Sequence, residues 1–237
     1  MIGTLINTAA ILIGGVCGQL FGRRLKQRHQ ETLTMACGVG TLFIGIAGAM
    51  QYMLHHELFP DGGAMLVVAC LALGGLLGEI IDIERGFERF GEWLKVKTGN
   101  AKDTGFVNGF VTASLTVCIG AMAIVGAIQD GIAGDWSILG AKAILDLIIV
   151  MVMTCSLGKG CIFSALPVLL WEGALTLLAS TIKPIMTDAA MGYLSLVGNV
   201  LIFCVGINLV WGRKIRVANL LPAVLFAVIA SFLPIRF

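Results

Sequence analysis

The sequence predicts an all-α integral membrane protein of about eight transmembrane helices. Three observations carry that expectation. Hydrophobic residues fill 58% of the 237 positions, charged residues only 13%, and the mean hydropathy is +0.96. Soluble domains are about 45–50% apolar and about 25% charged, so this chain has too little polar surface to cover a globule in water. Apolar runs near the ~20 residues that span about 30 Å of hydrocarbon recur from end to end. Basic residues, finally, fall almost wholly in alternate gaps between those runs, as expected for loops on the cytoplasmic side.

The runs cover residues 2–21, 33–53, 63–83, 106–128, 137–156, 161–182, 191–211 and 217–233, the fifth and eighth being short. The first has no basic stretch ahead of it, because its charges follow, so it reads as a retained helix and not a signal peptide. Arg23, Arg24, Lys26 and Arg28 come after it; Arg85, Arg89, Lys95, Lys97 and Lys102 follow the third run. Lys159 follows the fifth, and Arg213, Lys214 and Arg216 the seventh. With eight alternating helices, these residues share one side, and the other side receives Lys183 and Arg236. The expectation is that both termini lie outside the cytoplasm.

Between the third and fourth runs, "DIERGFERFGEWLKVK" (82–97) places Ile83, Phe87, Phe90 and Leu94 at helical spacing among charges. It reads as an amphipathic helix on the cytoplasmic membrane surface, with partner binding as the alternative. The chain is expected to form a single transmembrane domain of four hairpins, about 1–60, 61–135, 136–183 and 184–237. Weak echoes suggest parallel repeats: "GGVCGQLF" with "GGLLGEII", and "ALPVLL" with "LLPAVL". Gly14, Gly18 and Gly22, like Gly74 and Gly78, recur every four residues, the spacing that lets helix backbones approach closely.

Chemistry of other kinds finds little support. The net charge of +2 does not suggest nucleic acid. Seven cysteines lie in or beside apolar runs without a C-x-x-C pair, so no disulfide or metal role is expected. His55, His56 and Glu57 are adjacent and point in different directions, which argues against a metal centre. "SLGKGC" is a tight turn and no nucleotide loop. The histidines, His29, His55 and His56, all fall in loops. No enzyme activity, cofactor or metal is expected.

The runs "NTAAILIGGVCGQLFGRRL", "GFVTASLTVCIGAMAIVGAIQDGIAGD", "KAILD" and "RVANLLPA" resemble the YqgA/YdfK-like family of uncharacterised bacterial inner-membrane proteins, also known as domain of unknown function family 554. The resemblance covers nearly the whole chain. It implies a multi-pass membrane protein with a loose link to surface or biofilm behaviour, and it transfers no functional residue.

The candidate site lies in the fifth to seventh helices. Lys142 and Asp146 are four residues apart and so share one helix face. Counting along the next helix brings Glu172 near mid-membrane, and Asn199 of the seventh reaches a similar depth. An isolated charge there costs about 2.5–3.5 kcal/mol. Lys142 and Asp146 can offset each other, whereas Glu172 has no partner in its own helix. That excess of one acid suits a carboxyl that changes its charge, as a proton- or cation-coupled site requires. Gln129, with Asp130 and Asp135, is placed near the outer mouth, and Asn108, Thr112 and Thr116 form a polar stripe on the fourth helix. The expected function is transport of a small solute or ion, with Lys142, Asp146, Glu172, Asn199 and Gln129 contacting it. The alternative is a non-transporting scaffold or regulatory membrane protein in which the charges are structural. The lipid bilayer is the expected partner, and a homo-oligomer is left open.

Overall fold

The computed structural model describes residues 1–22, 24, 26–55, 58–59, 63–118 and 121–233. Among them there is no strand. The helices in chain order are α1 (Ile2–Gly22), α2 (Gln27–Met53), α3 (Ala64–Ile81), α4 (Ile83–Lys97), α5 (Phe106–Cys118), α6 (Ala121–Ala133) and α7 (Ser137–Leu157). A 3₁₀ segment, Lys159–Ser164, leads into α8 (Ala165–Leu177) and α9 (Ala179–Ile182). There follow α10 (Asp188–Trp211), α11 (Val217–Leu220) and α12 (Pro222–Ala230).

Among the described residues, six helical stretches are long and apolar enough to cross a membrane: α1, α2 from Arg28, α3, α7, Lys159–Leu177 and α10. A seventh exists if α5 and α6 count as one span. The sequence expectation of eight differs at two places. The fourth apolar run is two helices bent by 62°. The eighth, Val217–Ala230, is shorter than a full crossing. Its break has a local cause: Pro222 opens α12 and has no N–H to continue α11. Large apolar side chains such as Leu5, Ile13, Met65, Val68 and Ile80 stand exposed on the spanning helices. On a multi-pass membrane protein that surface is solvated by hydrocarbon.

The chain forms two compact units. The first comprises Met1–Cys37, Gly86–Cys118 and Met122–Ile182. Its spine is α1 laid along α7. A methyl carbon added at Gly14 would lie 2.3 Å from the Leu147 carbonyl oxygen, and one at Gly18 only 2.2 Å from that of Met151. The four-residue glycine spacing thus sets backbone directly on backbone. On the same principle Gly160 admits the Phe106 carbonyl, so the 3₁₀ segment rests on α5, and the rings of Phe106 and Phe163 meet at 5.2 Å. Phe106, Phe110, Leu139 and Val150 are wholly buried. The amphipathic helix forms as α4, with part of its apolar stripe on the protein: Phe90 packs edge-on to Phe110, and Leu94 is buried. Trp93 and Val96 remain exposed.

The second unit comprises Gly38–Arg85, Ile119–Ala121 and Lys183–Phe237. Phe59, Leu66, Tyr193, Leu196, Ala223 and Ala227 belong to its core. Here α3 lies on α11 and α12, where a methyl carbon at Gly78 would fall 1.8 Å from the Asn219 carbonyl oxygen and one at Gly74 2.3 Å from the Ala223 nitrogen. Both glycine motifs therefore serve close helix contact, each against a different kind of partner helix. Asp82, in the left-handed region at φ 57°, ends α3, its N–H donating to the Gly78 carbonyl. Beyond it a charged knot forms. Asn219 accepts from the Glu84 N–H at 2.8 Å and donates to Glu79 at 2.9 Å. Arg213 pairs with buried Glu84, and Arg216 meets both Glu79 oxygens at 3.0 Å.

Candidate functional site

The first unit buries one lysine against two carboxylates. Lys142 and Asp146, one turn apart on α7, are 6% and 5% exposed and bonded to each other. The Lys142 ammonium also donates to the Val117 carbonyl near the end of α5, at 2.8 Å. Its third direction faces Glu172 Oε1 of α8, 3.4 Å away. The ammonium thus makes two hydrogen bonds and one further ion-pair contact. Glu172 itself is 1% exposed.

Helix α1 supplies what the sequence reading missed. Asn7, fully buried, donates through Nδ2 to Glu172 Oε1 at 2.9 Å. One turn earlier, Thr4 meets Thr176 hydroxyl to hydroxyl at 3.1 Å. Thr176 already donates to the Glu172 backbone carbonyl at 2.8 Å, so Thr4 is the donor in that pair. The signal was present in "GTLIN", where two polar residues three apart interrupt an apolar helix. Neither carries charge, which hid them from a search for ionisable groups.

Two atoms of the cluster lack a hydrogen-bond partner: Glu172 Oε2 and Asn7 Oδ1. Buried polar atoms are normally satisfied. Here one member of each planar group, carboxyl and carboxamide, is engaged in their mutual bond, and the other is not. Ser114 Oγ, one turn before Val117, is also buried without a partner.

The other predicted residues lie elsewhere. Asn199 belongs to the second unit, where its Nδ2 donates to the Ser195 carbonyl of its own helix at 2.8 Å. Its carboxamide covers Gly48 of α2, where an added methyl carbon would be 2.2 Å away. Gln129 is exposed, whereas its neighbour Asp130 is buried and accepts from the Gly3 N–H at 3.0 Å, at the start of α1. A carboxylate there complements the positive end of the helix dipole. Asp135 is exposed, and donation from the Ser137 hydroxyl and N–H holds its carboxyl below the usual range. In the polar stripe, Thr116 bonds back to the Thr112 carbonyl and Asn108 is exposed. His56 and Glu57 lie outside the described residues. None of the seven cysteines forms a disulfide.

A family described as "Protein of unknown function (DUF554)" matches residues 2–232. The chain is 29% identical to "Uncharacterized membrane protein YdfK" of Bacillus subtilis (strain 168) over 232 residues, covering 98% of this chain and 96% of that protein. It is 32% identical to "Uncharacterized protein YqgA" of Escherichia coli (strain K12) over 231 residues, covering 96% and 94%. No solved structure matches. The chain is thus a multi-pass membrane protein, and it belongs to the DUF554 family of proteins of unknown function.

Proposed function

We propose that this protein transports a small solute or ion across the bacterial inner membrane, using the Lys142–Asp146–Glu172 cluster as its charged site. One observation carries the reading. The cluster holds two acids and one base in a buried place, and Glu172 keeps one oxygen without a protein partner. A purely structural network gains from complete pairing, because an unmet buried polar atom costs about 1–3 kcal/mol. An incomplete one suits a group that exchanges a proton or cation. The reading includes no enzymatic step.

The competing reading is a non-transporting scaffold or regulatory membrane protein. It is favoured by Lys142, which joins α7 to α5 by a hydrogen bond and to α8 by an ion pair, as a structural clamp would. Glu172→Gln separates the two. Proteoliposomes carrying the wild type should move at least one solute from a panel of inorganic ions, amino acids and small organic acids. The variant should stay folded in the membrane and lose that flux. Equal flux by both proteins, or none by the wild type, would refute the transport reading.

Orientation follows from loop charge. With eight alternating crossings, the short α11–α12 stretch completing the last, both termini lie outside the cytoplasm, and reporter fusions near Thr98 and after the C-terminal residue should report opposite sides. Reporters on the same side would overturn that arrangement.

A further inference from the structure

We propose that Glu172 is carried as a neutral acid whose Oε2–H donates to Asn7 Oδ1, so that carboxyl and carboxamide form a cyclic pair joining α8 to α1. The inference rests on the transport reading of this site and deepens it: the exchanged ion is a proton, held on Glu172 Oε2, and Asn7 Oδ1 accepts the hydrogen bond it makes. It is carried by the pattern of satisfied and unsatisfied atoms. Asn7 Nδ2 already donates to Glu172 Oε1 at 2.9 Å. The two atoms left over, Asn7 Oδ1 and Glu172 Oε2, are both acceptors when Glu172 is ionised, and both are buried without a partner. A single proton on Oε2 converts one of them to a donor and satisfies the pair at once.

The surrounding charges agree. Glu172 faces Lys142, which is paired with Asp146 of the same helix, and Cys118 of α5 follows Val117, whose carbonyl accepts from that ammonium. The residues toward it from α1, Asn7 and Thr4, are uncharged. With Glu172 neutral, Lys142 and Asp146 balance each other, and no excess charge is left in the hydrocarbon. Loading takes one proton from water onto Oε2; unloading returns it and leaves two acceptors, Oε2 and Asn7 Oδ1, with no donor between them. Loss of the proton therefore breaks one of the two bonds holding α1 to α8 at this level.

Infrared spectroscopy of the full-length protein in lipid nanodiscs at neutral pH reads this directly. The wild type should show the C=O stretch of a protonated carboxyl, shifted downward in D₂O. The band should move when glutamate is ¹³C-labelled and stay when aspartate is, a readout that needs no variant to fold. Glu172→Gln should remove the band while keeping the fold, since the glutamine NH₂ can replace the O–H as donor to Asn7. Asn7→Val should keep the band and raise its frequency, because the O–H loses its acceptor. Absence of the band in the wild type, a band that follows the aspartate label, or one that survives Glu172→Gln would overturn the inference. Flux without the band removes this inference alone. The band without any flux leaves it standing and removes the transport reading.

Discussion

Lys142→Met should lower stability by about 3–5 kcal/mol, the range for removing one partner of a buried ion pair. The substitution takes away the cluster's cation and leaves Asp146 without the ammonium that binds it. It also strips Glu172 Oε1 of the positive charge 3.4 Å away. Two further variants bracket that effect. Asp146→Asn should cost less, because Glu172 already stands beside the ammonium and can ionise to take over as counter-charge. The double variant Lys142→Met with Asp146→Leu should recover most of the loss, since replacing a whole buried pair by apolar groups is often neutral or better. A Lys142→Met protein as stable as the wild type in a detergent-unfolding titration would show that the pair contributes nothing to the fold.

Gly18→Leu is expected to match or exceed that effect by a different route. Overpacking usually costs about 1–3 kcal/mol because side chains can shift to make room. At Gly18 the obstruction is backbone: the added carbon would stand 2.2 Å from the Met151 carbonyl oxygen, so α1 must leave α7. A loss of about 3 kcal/mol or more, at and beyond the top of that range, is therefore expected. Gly40→Ala is the control. It is exposed on α2 with no neighbour within 4 Å, and removing a helical glycine there should stabilise by roughly 0.5–1 kcal/mol. Equal tolerance of the two substitutions would mean that α1 and α7 do not lie in backbone contact.

The parts of the site legible in the sequence were those that local geometry dictates. The four-residue spacing of Lys142 and Asp146 fixes their shared face before any tertiary structure exists. Counting residues from the membrane edge gave depth, and depth brought Glu172 into consideration. Depth carries no azimuth, however. Asn199 was chosen on the same count, yet its side chain turns back to Ser195 in its own helix. Gln129 faces outward while Asp130 turns inward, because neighbouring helical residues differ by about 100° in direction. Asn7 lies 165 residues from Glu172 and bears no charge, so nothing local marks the contact. The fold shows the same division. Length and hydropathy located the apolar runs, whereas the 62° bend between α5 and α6 has no proline to announce it.

The glycine contacts have a mechanical consequence. Backbone pressed on backbone makes α1 and α7 one stiff blade, gripped at Gly14 and Gly18. A second blade has the same construction: α5 seats on the 3₁₀ segment at Gly160, and α6 on α8 at Gly131, where an added methyl carbon would lie 2.3 Å from the Thr176 carbonyl oxygen. Between the two run polar contacts, Gly3 to Asp130, Thr4 to Thr176, Asn7 to Glu172, Lys142 to Val117 and Lys142 to Glu172, beside further glycine seats at Gly15 and Gly109. The first unit thus sets two kinds of fastening side by side: glycine seats that fix helices backbone to backbone, and polar contacts, Asn7 to Glu172 among them, that can exchange partners while the seats hold.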